Sequence, residues 1–229
     1  MPDLLESLIF LLSLDLLGVH FSSVSTAPYH PYPLLNKPAE GSGEPSALTK
    51  LAENGFRLAP IVVVPAALEE HFYRLNNLPA QLAVIFKDVD LGDPDEDDVE
   101  DAVPAAQALL KKHYLLDEVI DAFYGAVQSL PSKLELRRAD TQQGYKALRG
   151  RPTLMKLKQL WTDDWDFEAV LSRLESQQTF GLEARPTLIH TADDKPATTE
   201  RSQAASERLG RSVTLWEHPE FGVTRVYRI

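Results

Sequence analysis

Two apolar runs, IVVV at 61–64 and LAVIFKDV at 82–89, flank a segment of helical length, AALEEHFYRLNN, and nothing else in the chain constrains the fold as strongly. Short, nearly continuous apolar runs bounded by turn formers are expected of strands buried on both faces, and two of them joined by a helix make a βαβ unit with parallel strands. PTLIHT, the helix TTERSQAASERLG closed by Gly210, and SVTLWEH read as a second such unit, and VTRVYRI closes the chain as a strand reached through the turn HPEFG. The pattern predicts an α/β fold: a mixed, mostly parallel sheet of about five or six strands with helices on both faces.

Between these units the helical signals are plain. Ser46 is placed to cap a short helix, ALTKLAENG, closed by Gly55. Pro104 suits a first helical position, and Leu109, Leu116, Ile120, Phe123, Val127 and Leu130 then form one long stripe or two split at Asp117. Lys133 to Arg138 reads as a short strand and Thr141 to Leu148 as a short helix. Leu154, Leu157, Leu160 and Trp161, then Phe167, Val170, Leu171 and Leu174, mark two more helices separated by TDDWD. At that spacing Trp161 and Trp165 read as core packing.

Three regions divide the chain. Residues 1–21 carry an apolar helix whose face includes Leu8 and Leu12; Glu6 and Asp15 interrupt it, so it lacks the unbroken run of about 18 residues that a membrane span needs. Residues 22–46, with five prolines, five serines and two glycines, read as an extended tether, and 47–229 as the α/β domain. A loosely tethered apolar helix has to be buried by something, and exchange between protomers is one way. The chain has no cysteine, which removes disulfides, thiol nucleophiles and thiolate metal sites. Asp3 and Glu6 stand where a secretory signal carries basic residues, so the expected location is the cytoplasm. The eleven glycines form no phosphate-binding loop.

Net charge is −11, and it is local. Nine acids fall between Asp88 and Asp101; of thirty-four acids the remaining twenty-five nearly balance twenty-three Lys and Arg, so the rest of the chain carries −2. Lys133 to Lys158 holds eight cations against Glu135 and Asp140, a local +6.

Four carboxylates and one histidine have a case for chemistry. Asp88 and Asp90 follow an apolar run read as a strand, where open α/β sheets place ligands. Asp193 and Asp194 follow PTLIHT, with His190 just upstream; if the two strands were neighbours, these five residues would form an oxygen-rich site suited to Mg²⁺, with Asp88 and Asp90 as candidate catalytic groups. The order of an apolar strand with DxD and a later strand with an acidic pair resembles the haloacid dehalogenase superfamily. The chain departs from that pattern at Lys87 and Gly92, and a whole βα unit precedes the DxD, so no catalytic role is carried over. The plainer account of Asp88–Asp101 is a helix approach, where carboxylates favour the free N–H groups of the first turn. RGRP, Arg149 to Pro152, matches the core of an AT-hook and offers nucleic acid a basic segment up to Lys158; Gly150 as a helix stop and Pro152 as a helix start explain the same letters.

These features point first to a non-enzymatic interaction or assembly protein using its N-terminal helix and its segregated acidic and basic patches, the basic one including Arg137, Arg138, Arg149 and Arg151, with self-association or a protein partner expected. The alternatives are a Mg²⁺-dependent enzyme acting on a phosphorylated small molecule and a DNA-associated protein.

Overall fold

The computed structural model of the chain describes residues 30–34, 43–177, 180–181 and 184–228. The helix expected over 1–21, with Leu8 and Leu12, falls outside the described residues, as does most of 22–46. In chain order the elements are β1 (Tyr32–Pro33), α1 (Glu44–Glu53), β2 (Ile61–Val64), α2 (Ala66–Leu75), α3 (Leu78–Ile85), α4 (Glu96–Lys112), α5 (Asp117–Val127), β3 (Lys133–Arg138), β4 (Tyr145–Leu148), α6 (Arg151–Asp163), α7 (Phe167–Gln177), β5 (Thr187–Thr191), β6 (Lys195–Pro196), α8 (Thr199–Leu209), β7 (Val213–His218) and β8 (Gly222–Arg228). Among the described residues no helix is long and apolar enough to cross a membrane.

The described residues divide into two compact units, one drawn from 67–115 and 158–184, the other from 30–66, 116–157 and 185–228. The described part of the first is helical. In it α4 packs on α3 and α7. Among its buried leucines, valines and alanines runs a set of ring contacts: Phe72 lies 5.2 Å from Trp161, Phe86 5.7 Å from Trp165, and Phe180 stacks on Phe86 at 4.5 Å between ring centres. Trp165 Nε1 donates to the Tyr73 hydroxyl at 2.5 Å, which satisfies the indole where no water reaches it.

The second unit overturns the parallel-sheet expectation. Its strands form a five-stranded sheet in the order β1-β2-β5-β3-β4 and a three-stranded sheet in the order β6-β7-β8, and every pairing within them is antiparallel. The error began at the second apolar run. Leu82 to Val89 is no strand: α3 covers Leu78–Ile85, and burial recurs at Leu78, Leu82 and Phe86 while Val84 is 66% exposed. That four-residue recurrence is a helix's, and alanine, leucine and glutamine favour a helix where a β-branched run would favour a strand. Without that strand the first βαβ unit disappears. The second fails too, because β5 belongs to the larger sheet and β7 to the smaller.

Smaller differences have local causes. Tyr145 to Leu148 pairs with β3 and is a strand, where a helix over 141–148 was expected. Pro104 lies inside α4, on its exposed side, because Asp95 starts the helix nine residues earlier. Helix α1 begins at Glu44, two residues before the expected cap. Gly222 is required where it stands: its φ is +104°, and a Cβ there would strike the Arg57 carbonyl that accepts the Val223 N–H.

The core of this unit lies between the sheets. Cross-strand pairs put Ile61, His190 and Glu135, then Val63, Leu188 and Arg137, on one face of the larger sheet. Ile61, Val63 and Leu188 pack with Leu48 and Leu51 of α1, Ala205 of α8, and Val213, Leu215, Val223 and Val226 of the smaller sheet. The polar members of that face are buried as well.

Candidate functional site

All nine acids of Asp88–Asp101 are exposed on the helical unit. Asp95 caps α4, its carboxylate accepting from Asp97 N at 2.9 Å, and Glu96, Asp97 and Asp98 fill the first turn. There the helix dipole favours each negative charge by about 0.3–1 kcal/mol. Asp90 Oδ1 accepts from Gly92 N at 2.8 Å, and Asp88 lies 3.4 Å from Lys87 with both side chains largely in water. Among the described residues that is the segment's only ion pair. Glu100 and Asp101 stand beyond the first turn, where a helix end makes no use of them. The stretch therefore combines a capped helix entrance with a surplus of exposed negative charge.

In the two-sheet unit the titratable groups are mostly inside. Glu44, the first residue of α1, accepts Arg137 Nη1 at 2.5 Å and Nη2 at 2.6 Å, both side chains fully buried. The same carboxylate accepts Asp140 N at 3.0 Å and Val226 N at 2.9 Å, so one side chain ties α1 to both sheets. Arg137 Nε donates to His190 Nε2 at 3.2 Å. An arginine only donates, so His190 is neutral with its proton on Nδ1, 2.8 Å from Thr191 O. Burial, then the charges of Arg137 and Arg225, push its pKa down to about 3.

A second knot adjoins the first. Arg225 contacts Asp194 through Nε at 2.5 Å and Nη2 at 2.8 Å, reaches Glu135 at 2.7 Å, and donates from Nη1 to Gln142 O at 3.1 Å and to the Tyr227 hydroxyl at 3.2 Å. Thr224 Oγ1 also donates to Asp194, at 2.5 Å. Burial works against the Asp194 carboxylate, but the Arg225 and Thr224 hydrogen bonds hold its pKa below the ordinary value. Burial raises the Tyr227 hydroxyl. Every charge here has a partner, as buried charges require, and the result is a clamp between the sheets.

Outside that interior the predicted residues separate. Asp193 lies at the surface with φ +68° and pairs with Lys146 at 2.9 Å; that hydrogen bond lowers its pKa and raises the pKa of Lys146. Asp88 and Asp90 belong to the helical unit, whereas Asp193, Asp194 and His190 belong to the other. Among the described residues no group of three or more His, Asp or Glu side chains is arranged to hold a metal ion. Arg137 and Arg138 are buried, the latter donating to Arg185 O at 3.0 Å. Arg149 donates to Gln128 O at 2.8 Å and Leu130 O at 2.5 Å; Gly150, with φ +103°, and Pro152 start α6. Arg151 is exposed.

Sequence reasoning missed Glu44 and the edge strand β4. The signal for the first was the alternation in KLELRR, which sets Glu135 and Arg137 on one face and so calls for a buried carboxylate opposite. The signal for the second was a short run between two glycines, Gly144 and Gly150. No protein-family model matches this chain, and no curated protein matches it.

Proposed function

We propose that this is a non-enzymatic interaction or assembly protein whose principal recognition surface is Asp88–Asp101, and that it engages a cationic protein surface. The observation that supports this reading is that the nine carboxylates are exposed and, among the described residues, carry one ion pair for the whole segment. Such a field raises encounter rates with a basic partner and discriminates against acidic ones. The magnesium reading rested on Asp88 and Asp90 leaving a buried strand, and α3 takes that strand's place. A cytoplasmic location is part of the proposal, in keeping with a chain free of cysteine.

Sedimentation velocity tests it. The full chain, alone and mixed with a lysine-rich helical peptide, is compared with a variant carrying Asp97→Asn, Asp98→Asn, Glu100→Gln and Asp101→Asn. Association that weakens with added salt and is lost in the variant is expected; if it occurs in the chain alone, the partner is a second copy. An unchanged association in the variant would falsify the assignment of this surface.

A further inference from the structure

One strand edge of the two-sheet unit differs from the others. β1 ends the larger sheet with Pro33 and β6 ends the smaller with Pro196, each in a two-residue strand, and proline offers no N–H to a newcomer. The outer edge of β8 is occupied: Val223 N donates to Arg57 O and Val223 O accepts from Ala59 N, both at 2.9 Å, while Glu44 takes the Val226 N–H. At β4, Arg149 N donates inward to Ser132 O at 2.9 Å. The alternation of an antiparallel ladder then turns Ala147 and Tyr145 toward β3 and leaves the N–H and C=O of Lys146 and the N–H of Leu148 facing outward. The Leu148 carbonyl accepts from Thr153 Oγ1 at 2.8 Å. Among the described residues no strand pairs with this edge.

Its surroundings specify a chemistry. From Gly144 to Lys156 the chain carries Lys146, Arg149, Arg151 and Lys156 and no acid, and Lys133 adds a further cation from β3. Leu148 is 60% exposed on the strand and Met155 56% exposed on α6. A depression of about 400 Å³ beside this edge spans β3, β4 and the turn after β5 and is lined by Lys133, Lys146, Leu148, Ala192 and Asp193 among others. A carboxylate already sits there, since Asp193 rests on Lys146 Nζ. Pairing of Lys133 with Leu148 and of Glu135 with Lys146 puts all four on one face; Glu135 is buried against Arg225, which leaves Lys133, Lys146 and Leu148 for alternate residues of a neighbouring strand to meet.

We propose that the outer edge of β4 receives an extended acidic peptide segment of a partner protein as an added strand, its alternate carboxylates meeting Lys133 and Lys146. Backbone hydrogen bonds to Lys146 and Leu148 supply the affinity and the lysines the preference for acid. Nucleic acid would answer the charge but has no peptide ladder to offer the edge. This surface belongs to the two-sheet unit alone and is independent of the acidic one.

Fluorescence anisotropy on the full chain, with a labelled heptapeptide alternating glutamate and valine, tests the proposal. Binding is expected, to weaken about tenfold or more when alternate peptide nitrogens are methylated, because hydrogen bonds to the edge are lost. Lys146→Glu, with circular dichroism matching the unmodified chain, is expected to lose this peptide and to bind a lysine–valine counterpart instead. Three results overturn the proposal: no binding of the acidic peptide, equal binding of its methylated form, or equal binding by Lys146→Glu. A single-stranded oligonucleotide that binds where the acidic peptide does not also overturns it.

Discussion

The helical unit and the two-sheet unit fill their interiors with different chemistry. In the first, the large buried side chains are Phe72, Phe86, Trp161 and Trp165, which meet ring to ring. In the second, Arg137 is among the largest fully buried side chains and is matched by Glu44. The ring contacts carry no titratable group, so their packing does not change with pH. A buried ion pair contributes little net stability, since desolvation offsets most of its Coulomb gain, but it fixes geometry, because any arrangement that separates the charges is strongly disfavoured. The clamp accordingly specifies how α1 and the two sheets meet, while burial of Leu48, Leu51, Leu188 and Leu215 supplies the driving force.

Removing one side of the clamp is the most direct way to break this comparison. Glu44→Leu strands Arg137 in a dry interior and is expected to lower stability by about 3–5 kcal/mol in urea unfolding, with Glu44→Leu/Arg137→Met recovering most of the loss. A cost no larger in the single than in the double variant would show that the pair does not constrain the unit. In the helical unit Trp165→Ala removes the contact with Phe86 and the hydrogen bond to Tyr73, at a similar cost of about 3–5 kcal/mol. That penalty should be the same at pH 7 and pH 5.

Acid should separate the units. His190 stays neutral in the folded chain down to about pH 3, whereas an unfolded chain protonates it near 6.5. Unfolding at intermediate pH therefore takes up a proton, and stability falls as pH drops from about 6.5 toward 3. Asp194 acts in the same direction lower down: its contribution is whole above about pH 4 and is lost as the carboxyl protonates. Trp216, 5.2 Å from Arg225, reports on this unit, and Trp161 and Trp165 on the other. In single-tryptophan variants the Trp216 emission should redden at a higher pH than the other two; coincident transitions would dissolve the distinction.

The smallest expected effect concerns the acidic stretch. Asp95→Ala removes the cap of α4 and should cost about 1 kcal/mol in thermal unfolding, while Asp101→Asn, beyond the first turn, should leave the midpoint unchanged. Equal effects would mean that the segment acts as undifferentiated charge and not as a helix entrance with a surface attached.

Much of the local structure could be read from the letters. IVVV, KLELRR, TLIHT, VTLWEH and the final GVTRVYR are strands, and Thr198 and Gly210 bound α8. What misled was LAVIF, where apolar continuity stood for a strand although Leu78, Leu82 and Phe86 already carried the helical recurrence. A short apolar run is ambiguous between the two because both bury it. The candidate site was legible in part: the acidic stretch is exposed, but two of the four arginines assigned to the basic patch are buried. Charge counts carry no information about depth.

By itself the sequence determined the periodicities, the caps and the concentration of charge in two segments, since these depend on neighbours within a few residues. Only the tertiary structure decided that the strands run antiparallel in two sheets, that Glu44 meets Arg137 across 93 positions, and that β4 is left as the open edge. Partners so far apart in sequence are chosen by which buried charge must be neutralised and which backbone groups remain unpaired, and both are settled only when the sheets close on each other.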